Sequence, residues 1–365
     1  MVGWRLLKRI IAVKIGTVRR RVVRKADKPF CFTGSSELRE SLGKEAEDEK
    51  RLVELLEEVP LDSNVYLKIN RQNAQVLNLD ADLVMVHDPG PAALIEHRKG
   101  GKWIWRCYLD LSQPQRRAWS FLRHFVVRYD AAIFSVTGFA QRLPIPKFLI
   151  YPSIDPLSEK NRELSRAEVS HTLDRLGIPR DKPILLQVAR FDRFKDPVGA
   201  IKAYRMVKKH YDCRLILAGG GVANDPEGEA VLADVNTAAG SDTDIHVLQL
   251  PPEADREINA LQRGATIVLQ KSIKEGFGLA VSEAMWKGKP VVGGTAGGIA
   301  DQIIDGVTGY TVHSIEGAAF RVRHLLSNPG LSQRMGGAAR EHVRRNFLIT
   351  RHLADYLTLL KIFTQ

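Results

Sequence analysis

Apolar residues fall into short continuous runs set between longer amphipathic or charged stretches. In the first half the runs are Leu83-Val84-Met85-Val86, Trp103 to Cys107, Ala131 to Val136 and Phe148 to Tyr151. In the second half they are Ile184 to Val188, Arg214 to Ala218, Ile245 to Leu248, Thr266 to Leu269, Pro290 to Val292 and Gly309 to Val312. Short unalternated runs bounded by turn residues suit strands buried on both faces, as in parallel sheets. Helical periodicity predicts helices near Ala118 to Tyr129, Arg166 to Leu176, Val198 to His210, Leu331 to Asn346 and Thr350 to Ile362. Ser36 to Asn78 reads mostly as polar helix, with Leu52, Leu55 and Leu56 as its apolar positions. Strands alternating with helices define an α/β protein with parallel sheets.

The pattern breaks at Tyr151-Pro152-Ser153-Ile154-Asp155-Pro156, where closely spaced prolines preclude a helix. An inter-domain link is expected in this region. The expected organisation is a basic arm over 1–27, a Rossmann-like domain over 28–164 and a second Rossmann-like domain over 165–346. A C-terminal helix over 347–365 has the option of crossing back to the first domain.

Composition adds little to this picture until charge is considered. Hydrophobic residues make up 44% and charged residues 26% of the 365, as in ordinary globular proteins. Cys31, Cys107 and Cys213 are too few and too scattered for a disulfide framework or a metal site, which points to a reducing cytoplasm. The formal net charge is +12, and the first 25 residues carry nine Lys or Arg before the first acid, Asp27. This head is expected to be a solvated arm. A basic anchor on an acidic membrane surface is the rival reading. The apolar run Ile10 to Val13 stops at Lys14, too soon for a signal peptide, and no stretch approaches the roughly 20 apolar residues of a membrane span. No basic motif interleaved with aromatics supports nucleic-acid binding.

The chemistry is concentrated in Glu275-Gly276-Phe277-Gly278-Leu279-Ala280-Val281-Ser282-Glu283. The stretch follows a strand and opens a helix, whose first amides are unpaired and carry partial positive charge. Gly276 and Gly278 let a phosphate approach the backbone closely, so Gly276 to Leu279 reads as a diphosphate cradle. Glu275 in the loop and Glu283 inside the helix can accept from hydroxyls at different parts of one ligand. Arg190 and Lys195 follow the strand Ile184 to Val188, so they also emerge at the carboxyl edge of the sheet. There they can neutralise a diphosphate, Arg as a planar fork and Lys as a point charge. Gly219-Gly220-Gly221 and Gly297-Gly298-Ile299 fill further strand-to-helix loops, but no dinucleotide fingerprint, Walker loop or nucleophile elbow is present.

These residues carry a family resemblance. Glu275 and Glu283 with Arg190 and Lys195 resemble the donor site of retaining GT-B glycosyltransferases. Five segments are similar to the trehalose synthase, or trehalose glycosyltransferring synthase, family: His87 to Ile95, Trp103 to Cys107, Pro152 to Asn161, Arg256 to Gly264 and Glu275 to Gly293. The resemblance implies a GT-B fold, two Rossmann-like domains facing a cleft. It implies transfer of glucose from ADP-glucose or UDP-glucose to glucose, reversibly, giving trehalose. Arg190 and Lys195 would then meet the diphosphate, Glu275 the sugar hydroxyls, Gly276, Phe277, Gly278 and Leu279 would supply amides, and Glu283 would bind ribose. His87 and Asp88 would face the cleft, Asp88 among the catalytic residues, with Arg106, Tyr108 and Asp110 on the acceptor side. No metal or other cofactor is implied, because cations and helix amides carry the charge. A homodimer is left open.

The chain departs from the family pattern twice. The basic head stands where the family has a strand and a glycine-rich loop, so the first domain is expected to be incomplete; Phe30 to Ser35 is a poor replacement. After Trp103 to Cys107 the family has His where this chain has Tyr108. Slow transfer, or hydrolysis in its place, is therefore expected. The competing functions are a retaining trehalose phosphorylase, a sugar-nucleotide-binding protein without turnover, and a basic protein acting through its head.

Overall fold

The computed structural model describes residues 10–13, 63–220 and 225–364. The chain forms two compact units, Met1–Ile150 with Tyr356–Gln365, and Tyr151–Asp355. The sequence boundary at 164/165 falls later than this handover. Residues 155–164 stay with the second unit because Asn259 Nδ2 donates to the carbonyls of Glu159 (2.8 Å) and Arg162 (2.9 Å), and Trp286 Nε1 to that of Asn161 (3.2 Å).

The first unit holds a parallel sheet of five strands in the order β1 to β5. They are β1 (Ile10–Val13), β2 (Leu83–His87), β3 (Lys102–Cys107), β4 (Ala131–Phe134) and β5 (Lys147–Leu149). Helix α1 (Ser63–Val76) precedes β2, and α2 (Arg116–Val126) connects β3 to β4. The first strand places four residues of the expected arm in the sheet, while residues 1–9 and 14–27 of it lie outside the described residues. Ile10 pairs with Leu83 and Val13 with Val86, in parallel. Two of its four residues are isoleucines and one is valine, and β-branched side chains favour extended backbone. The sheet therefore gains the strand that the first domain was expected to lack. Residues 14–62, including Phe30 to Ser35 and most of the expected polar helices, lie outside the described residues. Leu83, Ile104 and Ile133 form the core of this unit, and Leu359 packs on them.

The second unit opens on α3 (Arg166–Arg175), started by a capping box in which Ser165 and Glu168 each receive the other's backbone N–H. Its strands are β6 (Ile184–Val188), β7 (Arg214–Gly219), β8 (Ile245–Gln249), β9 (Ile267–Gln270), β10 (Val291–Gly293) and β11 (Gly309–Thr311). Between them run α4 (Pro197–Lys208), α5 (Pro226–Ala239), α6 (Asp255–Gly264), α7 (Leu279–Trp286) and α8 (Ile299–Gln302). Helices α9 (Ile315–Ser327), α10 (Pro329–Asn346) and α11 (Ile349–Thr364) follow; α11 carries Leu359, and its residues from Tyr356 onward belong to the first unit. Three helices open on proline, whose missing N–H costs nothing in a first turn.

The six strands are all parallel, in the order β11-β10-β9-β6-β7-β8. This is the doubly wound order, built outward in both directions from the β6–β9 pair. The chain reverses direction across that pair, and ligands of such sheets bind there, outside the carboxyl ends of the strands. Among the described residues no helix is long and apolar enough to cross a membrane.

Candidate functional site

The loops that leave β6 and β9 flank this switch point, and three ties lock them together. The Ile273 N–H donates to the Phe194 carbonyl at 2.7 Å. Lys271 pairs with Asp196, a left-handed residue (φ 50°) that also caps α4 through Gly199 N–H. The third tie is chemical: Lys195 Nζ lies 2.8 Å from both carboxylate oxygens of Glu275. Behind it, Gln187 on β6 holds the Lys195 carbonyl at 2.6 Å, and Ser272 Oγ donates to Glu275 Oε2 at 3.0 Å. A carboxylate offers about four lone-pair sites. Lys195 and Ser272 occupy three, which leaves one on Oε1 for a hydroxyl.

Arg190 stands at the same edge, half-buried, with Nη2 3.1 Å from Asp192 Oδ2. Asp192 in turn caps the short turn carrying Lys195, accepting from Phe194 N–H at 2.8 Å. The two cations singled out in the sequence therefore share one loop, fixed by one acid.

The cradle is built from two glycine loops laid against each other. Gly278 (φ 81°) is the N-cap of α7, and Gly297 (φ 53°) backs onto the Glu275 carbonyl so closely that a Cβ would sit 1.9 Å from that oxygen. Gly298 N–H donates to the Gly276 carbonyl at 2.8 Å. Gln302, wholly buried on α8, pins both loops: its amide donates to the carbonyls of Phe277 (2.6 Å) and Gly298 (3.0 Å). Gly276, Gly278 and Leu279 line the start of α7 as expected. The Phe277 ring is buried against Tyr151 and Phe347, centroids 5.9 and 5.7 Å away, so its expected role is left to its backbone amide.

Glu283 lies one turn into α7 with its carboxylate 6% exposed. Lys160 Nζ is 3.4 Å from Oε1 and the Gln262 amide 3.5 Å from Oε2. The carboxylate holds the Lys160 ammonium above its usual range. One turn on, Lys287 Nζ donates to Asn161 Oδ1 at 2.9 Å and to the Glu283 carbonyl at 3.2 Å. Burial pushes this amine down to about 7, against a smaller opposing pull from Glu283.

That shift predicts a pH dependence of stability. Below about pH 7 the folded and unfolded chains both carry the Lys287 proton, and burying the charge costs its full amount. Between about 7 and the ordinary 10.5 the folded amine is neutral while the unfolded one stays charged. The unfolded state then binds more protons, so stability rises with pH across this window. Lys289, pushed down by the same cause, adds to the rise. Chemical denaturation at intervals from pH 6 to 10 should show a shallower rise in Lys287→Met than in the native chain; identical slopes would contradict the assignment.

In the first unit the expected residues gather at the carboxyl ends of β2 and β3. The His87 and Tyr108 rings stack at 5.8 Å. Asp88 (φ 66°) turns the chain off β2: its Oδ1 accepts from Tyr108 N–H at 3.0 Å and its carbonyl from Trp105 Nε1 at 3.0 Å. Arg106 corrects its acceptor-side assignment. It is wholly buried, donating to Ser135 Oγ (3.1 Å) and the Ile150 carbonyl (2.9 Å), with its guanidinium 4.4 Å from the Tyr108 ring centre. It joins strands and does not face solvent. Asp110 is exposed and accepts from Ser112 N–H at 2.8 Å within its own turn.

Sequence reasoning missed Ser272, Gln302, Gln262 and Lys160. Lys160 and Gln262 carried a signal, as parts of the Pro152 to Asn161 and Arg256 to Gly264 segments; Ser272 and Gln302 carried none.

Comparison with known proteins follows the same division of the chain. Residues 171–342 match the family model described as glycosyl transferases group 1, and residues 51–141 match that of the trehalose synthase N-terminal domain. A trehalose synthase of Pyrococcus horikoshii is 46% identical over 302 residues, covering 81% of this chain and 73% of that protein. One from Rubrobacter xylanophilus is 42% identical over 309 residues, covering 82% and 74%. Among solved structures, a UDP-forming α,α-trehalose-phosphate synthase from Burkholderia xenovorans, in complex with glucose-6-phosphate, aligns with a TM-score of 0.69. It covers 87% of this chain and 81% of that one at 15% identity, a likeness of fold.

Proposed function

The chain belongs to the trehalose synthase family of GT-B glycosyltransferases, and from that premise we propose that it transfers glucose from a nucleoside diphosphate glucose to glucose, forming α,α-trehalose. The observation that carries the proposal is the meeting of Lys195 with Glu275 at 2.8 Å beside a glycine-lined helix start, at the switch point of the sheet. A nucleotide sugar needs those neighbours: a cation for phosphate, an acceptor for sugar hydroxyls, and amides that a diphosphate can approach.

In the proposed reaction the bond between glucose C1 and the β-phosphate oxygen breaks. A hydroxyl oxygen of the acceptor glucose bonds to C1 on the same face, and its proton passes to the departing phosphate. Negative charge grows on that phosphate as the bond breaks. Lys195, Arg190 and the first amides of α7 are the groups proposed to stabilise it, in positions fixed before the reaction starts. Glu275, held by Lys195 and Ser272, keeps one lone pair for a donor-sugar hydroxyl.

On this reading the charge work needs no divalent ion. Saturating EDTA should leave both nucleotide affinity and turnover unchanged, and a loss restored by Mg²⁺ would contradict it. The binding test is titration of the chain with UDP and with ADP. One of them should bind with heat detectable at micromolar to millimolar concentration, and silence from both at millimolar nucleotide would remove the donor-site assignment.

A further inference from the structure

Lys160 has no part in the chemistry so far, yet its placement is built with care. Asn259 on α6 donates to the carbonyl on one side of it, that of Glu159, and Trp286 on α7 to the carbonyl on the other side, that of Asn161. The Asn161 side chain accepts from Lys287 at 2.9 Å. Lys160 is thus strapped against the two helices that carry Gln262 and Glu283. Gln262 is wholly buried, and its amide faces Glu283 while its carbonyl oxygen has no partner among the described residues. The opposite orientation would set oxygen against oxygen, so the carboxylate dictates this one.

We propose that Lys160 is a positioning residue that, with Gln262, presents the Glu283 carboxylate to the ribose hydroxyls of the donor nucleotide. The inference rests on the reading of the second unit as the donor-binding unit. The Glu283 side chain is 6% exposed, and a buried carboxylate needs partners that hold it in place. The ammonium on Oε1 and the amide on Oε2 are those partners, and the lone pairs left over are offered to a ligand. Lys287 does not substitute, because its bonds go to the Glu283 main chain and to Asn161. Without Lys160 nothing holds Oε1, and a carboxylate that turns away accepts less well from two neighbouring hydroxyls. Asp255 also lies within electrostatic reach of Lys160, with the same sign of effect as Glu283 but smaller.

The experiment is calorimetric titration of the full chain with UDP and ADP beside their 2′,3′-dideoxy counterparts, using whichever base binds. Hydrogen bonds to a charged group are worth about ten- to a hundredfold in affinity, so the native chain should prefer the ribonucleotide by that factor. Lys160→Met should lose most of the preference, with dideoxynucleotide affinity unchanged within about threefold, while Lys160→Arg should keep it. Should Lys160→Met fail to fold, Lys160→Gln takes its place with the same expectation. A Lys160→Met chain weakened equally toward both nucleotides would mark a structural residue and overturn the proposal. So would a native chain that binds nucleotide without regard to its hydroxyls, a result that leaves the Lys195–Glu275 site standing. Failure of every nucleotide to bind would instead overturn the donor-site reading and this inference with it.

Discussion

Replacing Lys195 with methionine should lower turnover by about a hundred- to a thousandfold while the chain stays folded. Methionine keeps most of the apolar stem of the side chain and removes the ammonium, with its charge and its two hydrogen bonds to Glu275. The cation lies 2.8 Å from Glu275 and on a loop tied to the Glu275 loop through Phe194 and Ile273, so the field it provides is fixed in advance. Preorganised charge of that kind, aimed where charge develops, is typically worth a hundredfold or more in rate. Glu275→Gln should also lose rate, since an amide cannot accept from Lys195 and a hydroxyl as a carboxylate can. Removing one partner of a buried pair has a stability cost of about 3–5 kcal/mol. The charge left behind is Glu275, 9% exposed, in Lys195→Met and Lys195, 18% exposed, in Glu275→Gln, so water reaches each and the cost should fall below that range. Initial rates should therefore be read with the melting temperature of each variant. Loss of rate in proportion to loss of folded protein, or unchanged kinetics, would show that the pair serves only to join two loops.

The largest expected effect on stability belongs to Gly297→Ala. A Cβ there would meet the Glu275 carbonyl at 1.9 Å and the Gly276 carbonyl at 2.5 Å, both main-chain atoms that cannot swing aside. The backbone also sits at φ 53°, where a side chain costs about 1–2 kcal/mol. Overpacking adds roughly 1–3 kcal/mol, so destabilisation of about 2–5 kcal/mol is expected. The carbonyls that must retreat belong to the Glu275 loop, and activity should fall even at temperatures where the variant is folded. Gly177→Ala offers the contrast: its φ is 69° but nothing lies within 4 Å, so only the backbone strain applies. Equal unfolding free energies for the two variants would show that the close approach of the glycine loops has no energetic weight.

What could be read in the sequence divides along physical lines. Ile184 to Val188 emerges as a strand with the same bounds because a central parallel strand is buried on both faces, and a five-residue run flanked by turn residues is too short for a helix. The Glu275 to Glu283 motif was legible because glycines before a helix are a local requirement of backbone geometry. The first strand was not, since Ile10–Val13 is short, flanked by cations, and pairs with residues more than seventy positions away. Glu283 shows the same limit from the other side. Its spacing from Glu275 placed it on the helix, but its burial comes from Lys160 and Gln262, which no local pattern links to it. Gln302 and Ser272 do their work only through contacts made by the finished fold. Arg106 misled because a charged residue is rarely buried without a carboxylate, and this one is held by a hydroxyl and a carbonyl.

The most direct test of the central claim is the identity of the product. The chain should be incubated with ADP-, UDP- or GDP-glucose and unlabelled glucose, with the donor glucose carrying ¹³C at C1, long enough for slow turnover to register. The account predicts a non-reducing disaccharide whose labelled anomeric centre has the α configuration on proton NMR, released together with the nucleoside diphosphate. Donor converted only to free glucose and nucleoside diphosphate, a β-linked product, or donor left intact with all three nucleotides would contradict it.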